Sequence, residues 1–230
     1  MGLPWHELVD RDDELQNPTS AEKVVRAGEH LRLGPADRVL DVACGKAGPA
    51  ILLAQTFGCR IHGIEISPVF AEAARVRISA AGLEGRIDVA LADASKVNLG
   101  SYDVALCIGA AFVWGHIGDA ARVLAPVAPR IAIGEPFTQA VGAEAEGAFV
   151  DLPSTVARFE SAGIDLTGIV ASSQDDWDRY ENLHWRAALE LGADRPTHLE
   201  QRDHYLVNRR NAVGWAIFTG VRSERAPAGG

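Results

Sequence analysis

Seven short apolar runs rich in Val and Ile alternate along the chain with helical patterns, and this alternation constrains the fold more than any other feature. The runs are Arg38–Ala43, Arg60–Ile66, Ile87–Ala92, Tyr102–Ile108, Arg130–Gly134, Ile164–Ala171 and Gly214–Arg222. Such runs suit strands covered by helices on both faces. Strands and helices in alternation specify an α/β fold with a mainly parallel sheet. Helices are expected at Pro49–Thr56, Pro68–Ala81, Asp119–Leu124 and Pro153–Ala162. Ser67 supplies an N-cap before a proline at the first helical position, and Gly82 a stop. Thr19 and Glu22 match a capping box that opens a helix reaching about Leu31.

A chain of 230 residues suits one domain, 1–230, with residues 1–33 as an N-terminal helical cap. Between the sixth and seventh strands, residues 173–212 carry a helical pattern too long for a simple connection, so a helical insertion is expected there. With 22 basic against 31 acidic residues the net charge is -9, which repels phosphate backbones and argues against a nucleic-acid partner. The first residues lack a basic segment followed by an apolar run, and no apolar stretch approaches the roughly 20 residues of a membrane span. Three cysteines without a C-x-x-C make a zinc site or disulfide framework a poor fit, and no metal cluster is visible. These features describe a reduced, cytoplasmic protein without membrane contact. Residues 225–230 have the composition of a frayed tail.

The most informative stretch is Val39-Leu-Asp-Val-Ala-Cys-Gly-Lys-Ala-Gly48, a buried strand that ends in Asp41 and turns through Gly45 and Gly48 into a helix. Glycines let a backbone approach a ligand, and the helix start offers free N–H groups. As Ala43-x-Gly45-x-x-Gly48 the turn imitates a dinucleotide fingerprint with Ala in place of the first glycine. As Asp41-x-Ala43-x-Gly45 it resembles the nucleotide-binding motif of class I S-adenosylmethionine (SAM) methyltransferases, again with Ala replacing a glycine. Electrostatics favours the second. An ionised Asp41 about 4 Å from a pyrophosphate would cost roughly 1–4 kcal/mol, whereas SAM presents an ammonium and a sulfonium.

Glu65, at the end of the second strand and followed by Ile66, stands about where such a unit places its ribose-binding acid. Asp93 and Ala94 follow the third strand, where an Asp taken alone is more often a cap or turn residue. Asp41, Glu65 and Asp93 thus end successive strands at one sheet edge, where open α/β folds bind ligands.

These residues and the seven-strand pattern resemble the class I SAM-dependent methyltransferases over nearly the whole chain. Five further fragments resemble a poorly characterised bacterial subgroup of small methyltransferases: Asn17-Pro18, Cys107-Ile-Gly-Ala110, Gly134-Glu-Pro-Phe137, Trp177-Asp-Arg-Tyr-Glu181 and Gly214-Trp-Ala-Ile-Phe218. The resemblance implies a Rossmann-like seven-stranded, mostly parallel sheet with an antiparallel last strand. It implies SAM as cofactor and S-adenosylhomocysteine (SAH) as product. It places Asp93 at the adenine amino group, the Ala94 N–H at a ring nitrogen, and the backbone of Cys107–Gly109 near the methionine moiety. Trp5, His6 and the residues after them would cap the cleft, with Asn17 touching cofactor or substrate.

The acceptor is read as a small molecule with an O, N, S or C nucleophile, and the sequence does not name it. His116, Glu135 and His184 are candidate bases; Trp114, Tyr180 and Tyr205 are candidate acceptor contacts. Phe112 either walls the site or packs in the core. Trp177, Tyr180, His184, Ala188 and Leu191 share one helix face, which suits a lid, core packing or a homodimer contact. Tyr205, Asn208, Arg209 and Arg210 suit an acidic acceptor or a solvated helix end. The rival functions are an NAD(P)-binding oxidoreductase and a non-catalytic SAM-binding accessory protein.

Overall fold

The computed structural model describes residues 8–139, 149–192 and 194–223. Its strands are β1 (Arg38–Val42), β2 (Arg60–Glu65), β3 (Ile87–Leu91), β4 (Val104–Ile108), β5 (Arg130–Thr138), β6 (Ile164–Ala171) and β7 (Val213–Arg222). They form one sheet in the order β3-β2-β1-β4-β5-β7-β6. The first five strands pair in parallel, and β7 lies antiparallel to both β5 and β6. The mostly parallel sheet with an antiparallel last strand, expected from the sequence, is present.

The helices are α1 (Ala21–His30), α2 (Gly48–Phe57), α3 (Pro68–Ala80), α4 (Ile117–Leu124), α5 (Leu152–Glu160), α6 (Gln174–Glu190) and α7 (Arg195–His204). Alternate side chains of each central strand enter opposite cores. Val39, Val104 and Leu106 pack with Val24, Leu53 and Ile78 from α1, α2 and α3. Leu40, Val42, Ala105 and Ile131 pack with Ile117, Leu124 and Phe159 from α4 and α5. Asp41 shares a sheet face with Val39, so the strand tip continues an apolar face with a carboxyl group. Among the described residues, no helix is long and apolar enough to cross a membrane.

Several boundaries differ from the sequence expectation, each for a local reason. The cap of α1 is Ser20, whose hydroxyl accepts from the Lys23 N–H, rather than Thr19; the Thr19 side chain is buried. His116 caps α4, which therefore starts at Ile117 instead of Asp119. Pairing with β7 down to Val213 extends β5 to Thr138 and puts Glu135 inside the strand instead of beyond it. Strand β6 lies at the sheet edge and alternates buried or half-buried with exposed positions, so coverage on both faces belongs to the sheet centre. The insertion is two helices, α6 and α7, followed by a π-helical turn at Tyr205–Arg209.

Ser67 caps α3 by accepting from the Phe70 N–H, with Pro68 in its first turn as expected. The turn after β1 is less ordinary: Ala43 and Ala47 both adopt left-handed backbones, with φ of 53° and 59°. A Cβ in that region crowds the following carbonyl oxygen at a cost of about 1 kcal/mol. Ala43→Gly should therefore raise the unfolding free energy by about 1 kcal/mol and Tm by roughly 2–4 °C. A lower Tm in a thermal melt would show that the lost methyl contacts outweigh the relieved turn.

Candidate active site

The C-terminal ends of β1, β2 and β4 open onto a cavity of about 670 Å³ whose wall includes Asp41, Gly45, Glu65, Ile66, Gly109 and Tyr180. That volume falls in the range of cofactor sites. Glu65 is held from two sides: its Oε2 accepts from the Gly45 N–H at 2.9 Å and its Oε1 from the Ser67 N–H at 2.8 Å. Asp41 is only 2% exposed, and its Oδ2 has no hydrogen-bond partner. Burial, then the neighbouring Glu65 charge, pushes its carboxyl up to about 7. A desolvated carboxyl with an unsatisfied oxygen in a cavity wall calls for a cation or a donor.

Two glycines let the N-terminal segment reach the strand tips. Gly45 has φ +54°, and a Cβ there would stand 2.1 Å from Gln16 Oε1, which accepts the Lys46 N–H at 2.7 Å. Gly109 has φ +89°, and a Cβ there would stand 1.9 Å from Asn17 Oδ1. Asn17 is fixed by donating its Nδ2 to the carbonyls of Ile108 and Leu15, at 3.0 and 3.2 Å.

This segment is stitched to α6, and together they roof the cavity. Arg179 donates to the Thr19 carbonyl at 2.6 Å and approaches the buried Asp13 at 3.5 Å. His184 Nε2 meets Asp10 Oδ1 at 2.7 Å, and Arg11 pairs with Glu190. From below, Lys46 Nζ donates to the carbonyls of Asp10 and Arg11 at 2.5 and 2.9 Å. Burial moves the Lys46 ammonium below its ordinary range.

A smaller pocket of about 210 Å³ adjoins the larger cavity, sharing Asn17, Gly109, Phe112 and Tyr180 with it. Glu135, Trp177, Arg209 and Trp215 are further parts of its wall. Each of the five fragments singled out in the sequence contributes: Asn17 and Pro18, Gly109, Glu135 and Pro136, Trp177 and Tyr180, and Trp215. Glu135 Oε1 accepts from the Ile117 N–H at 3.2 Å, and burial pushes its carboxyl up to about 7. A third cavity, about 290 Å³, lies among the insertion helices and shares Tyr180 and Arg209 with the second.

The structure brings Asn17, Asp41, Ala43, Gly45, Glu65, Ile66, Gly109 and Tyr180 together in the large cavity. Gly48 and Cys107 stand behind it: Gly48 lies under the Glu14 carbonyl, and Cys107 is a buried core thiol pushed up to about 12 by burial. Asp93 and Ala94 are not part of the wall. Asp93 Oδ1 accepts from the Ser95 N–H and hydroxyl at 3.0 and 2.6 Å, its Oδ2 meets Lys96 at 2.7 Å, and these bonds hold the carboxyl down at about 2. Ala94 packs against the core.

On the acceptor side, Glu135 and Tyr180 meet in the second pocket. His116 is used as the α4 cap, its Nδ1 accepting from the Gly118 N–H at 3.1 Å, and it lines none of the three cavities. His184 and Tyr205 line the third cavity, and the Tyr205 hydroxyl donates to Asp178 at 2.7 Å. Trp114 packs against the core beside α4. Trp5 and His6 lie outside the described residues. Sequence reasoning missed Gln16, whose place over the glycine turn depends on a left-handed backbone of φ 55° that its residue type does not announce. Trp215 was visible only as part of a fragment. Among the described residues, no group of three His, Cys, Asp or Glu side chains is set to hold a metal ion.

A doubly covered sheet with two buried acids at adjacent strand tips, above a glycine turn, defines a ligand-binding α/β domain of the nucleoside-cofactor class. Residues 39–130 match the family described as a methyltransferase domain. Over 92% of its length the chain is 30% identical to the uncharacterised protein YjhP of Escherichia coli, covering 95% of that protein. It is also 30% identical, over 80% of its length and 73% of the relative's, to the 27-O-demethylrifamycin SV methyltransferase of Amycolatopsis mediterranei. A SAM-dependent methyltransferase from Thiobacillus denitrificans, solved in complex with SAH, superposes with a TM-score of 0.83 at 28% identity, covering 96% of this chain and 100% of that one. The chain belongs to the SAM-dependent methyltransferases.

The raised Asp41 carboxyl has a measurable consequence in the ligand-free protein. A folded-state value near 7, against an ordinary 3.8, means that folding favours the protonated form. Its contribution to stability is present at acidic pH and is lost as pH rises through about 7. Asp41→Asn should thus gain Tm relative to the parent at pH 8.5 and show a smaller gain at pH 5.5. Equal differences at the two pH values, read by differential scanning calorimetry, would mean that Asp41 does not titrate in this window.

Proposed function

We propose that the large cavity binds SAM and the adjoining pocket seats a small molecule that receives its methyl group. The observation that carries this reading is the buried Asp41 carboxyl in the cavity wall, which keeps one oxygen without a partner and is matched in charge by the ammonium of the methionine moiety. SAM supplies a methyl group on a positively charged sulfur. Glu65, with one backbone N–H on each oxygen, keeps further lone pairs for the two ribose hydroxyls. Ile66 is 63% exposed, an apolar surface for the adenine ring. Asn17 and Gly109 shape the methionine end beneath the roof.

Asp93 is placed at the adenine edge as a weaker contact. Its pair with Lys96 is on an exposed lysine, where solvent screening makes such pairs weak, so it can be exchanged for an adenine amino group. In the smaller pocket Glu135 orients the acceptor and takes the proton it loses on Oε2, since Oε1 is engaged by Ile117. Aromatic walls exclude water and fix the approach, which is most of what an in-line displacement needs. His116 and His184 then serve as helix cap and roof tie.

Isothermal titration calorimetry tests the assignment. SAH should bind one to one and NAD should not. Glu65→Ala and Asp41→Asn should each weaken SAH at least tenfold, and Asp93→Ala less than either. Binding at pH 6 should release a proton from Asp41, and affinity should climb with pH to a plateau above about 7. NAD binding without SAH binding would return the chain to the dinucleotide reading, and unchanged SAH affinity in Glu65→Ala would remove the ribose assignment.

A further inference from the structure

The smaller pocket sets one acid in a wall of rings. Phe112, Phe149, Trp177, Tyr180 and Trp215 all contribute to that wall, and so does Glu135. Glu135 follows Gly134, whose carbonyl accepts from the Gly109 N–H at 3.2 Å, and Gly109 belongs to both this pocket and the large cavity. The acid thus stands on the side of the pocket nearest the cofactor cavity. Its Oε1 is engaged by the Ile117 N–H; among the described residues Oε2 has no hydrogen-bond partner and Glu135 forms no ion pair. The field of Arg158, from α5, offsets part of the burial that raises this carboxyl. Arg209 is also in the wall, and its charge acts on Glu181 and Tyr180 at the third cavity.

This arrangement sets a charge requirement on the acceptor. Protonated, Glu135 cannot take a proton; ionised, it is a partly desolvated carboxylate without a paired cation, which is costly. A hydroxyl acceptor leaves that charge unbalanced, and a carboxylate acceptor adds a second one beside it. An ammonium balances it and carries the proton that must leave before its nitrogen can attack. Aromatic walls suit such a cation, because rings attract it while excluding water. About 150 Å³ is enough to enclose a benzene ring, so about 210 Å³ admits one ring with a short amine-bearing arm. Resting on the methyl-transfer reading above, we propose that the acceptor is a small amine, bound as its ammonium ion against Glu135 within the aromatic wall. The ammonium passes one proton to Glu135 Oε2. The freed nitrogen lone pair then bonds to the methyl carbon, and the S–CH3 bond breaks with its electron pair left on sulfur. The products are SAH and an N-methylammonium, and the proton on Glu135 returns to water. A carboxyl at about 7 is a stronger base than one at the ordinary 4.5, which suits it to an ammonium that titrates, like that of lysine, at about 10.4.

The test uses the full chain saturated with SAH at pH 8, titrated calorimetrically with benzylammonium, benzyl alcohol and benzoate. Benzylammonium should bind at least tenfold more tightly than either analogue. Glu135→Gln should weaken benzylammonium at least tenfold and erase its advantage over benzyl alcohol, while Glu135→Asp should retain part of it. Saturable SAH binding by each variant shows that it is folded, and the comparison of the three probes on the parent chain stands without any variant. Undetectable binding of benzylammonium, equal or tighter binding of benzyl alcohol or benzoate, or an undiminished preference in Glu135→Gln would each overturn the proposal. Failure of SAH itself to bind the parent chain, measured first, would instead bring down the cofactor reading and the proposal with it.

Discussion

The arrangement of the site follows from two acidic side chains buried side by side at the tips of β1 and β2. Water is excluded from both, yet they are treated differently. Glu65 is neutralised in part by two backbone N–H groups from the turns that flank it, which is how a carboxylate survives in a dry environment. Asp41 has no such help on Oδ2 and bears the Glu65 field as well. Glu65 is thus a finished piece of architecture, while Asp41 keeps an oxygen without a partner. In the proposed function, one sheet edge supplies both a rigid sugar contact and an electrostatic trap.

Such a trap works only if solvent is kept away from it, and that explains the roof. The N-terminal segment from Asp10 to Pro18 contains little regular structure of its own. It is held by Lys46 from the glycine turn and by Arg179 and His184 from α6. Because α6 belongs to the insertion that follows β6, two segments distant in sequence depend on one another. The partly buried pair of Lys23 and Asp176 extends that dependence to α1. A charged segment with few apolar contacts would otherwise sample many conformations; here the ion pairs select one in which Asn17 and Gln16 lie over the strand tips.

Legibility of these features in the sequence tracks how local their causes are. The strands and the Ser67–Pro68 helix start follow from apolar periodicity and caps, which residue types express directly. Asp41, Glu65 and Gly45 were legible because strand ends and glycine turns are local signals. The role of His116 was not, since it is decided by a neighbour two residues on that competes for the same side chain. Gln16 was invisible for a different reason: its position depends on a left-handed backbone and on contacts with Lys46 thirty residues away. The five subgroup fragments were readable as strings, but their meaning, a common pocket wall, exists only after folding.

That common wall bears on how a shared scaffold acquires a particular substrate. The large cavity is built from the glycine turn and the acids at the tips of β1 and β2. The smaller pocket draws on the N-terminal segment, the loop after β4, the middle of β5, the insertion and the start of β7, parts that the cofactor does not dictate. Glu135 can face it only because β7 pairs along the full length of β5 and carries that strand past the sheet edge. Trp215, on β7 opposite Pro136, adds the facing ring. The antiparallel extension of the last strand is therefore more than a topological signature: it carries one carboxyl and one buried indole to the wall of the smaller pocket.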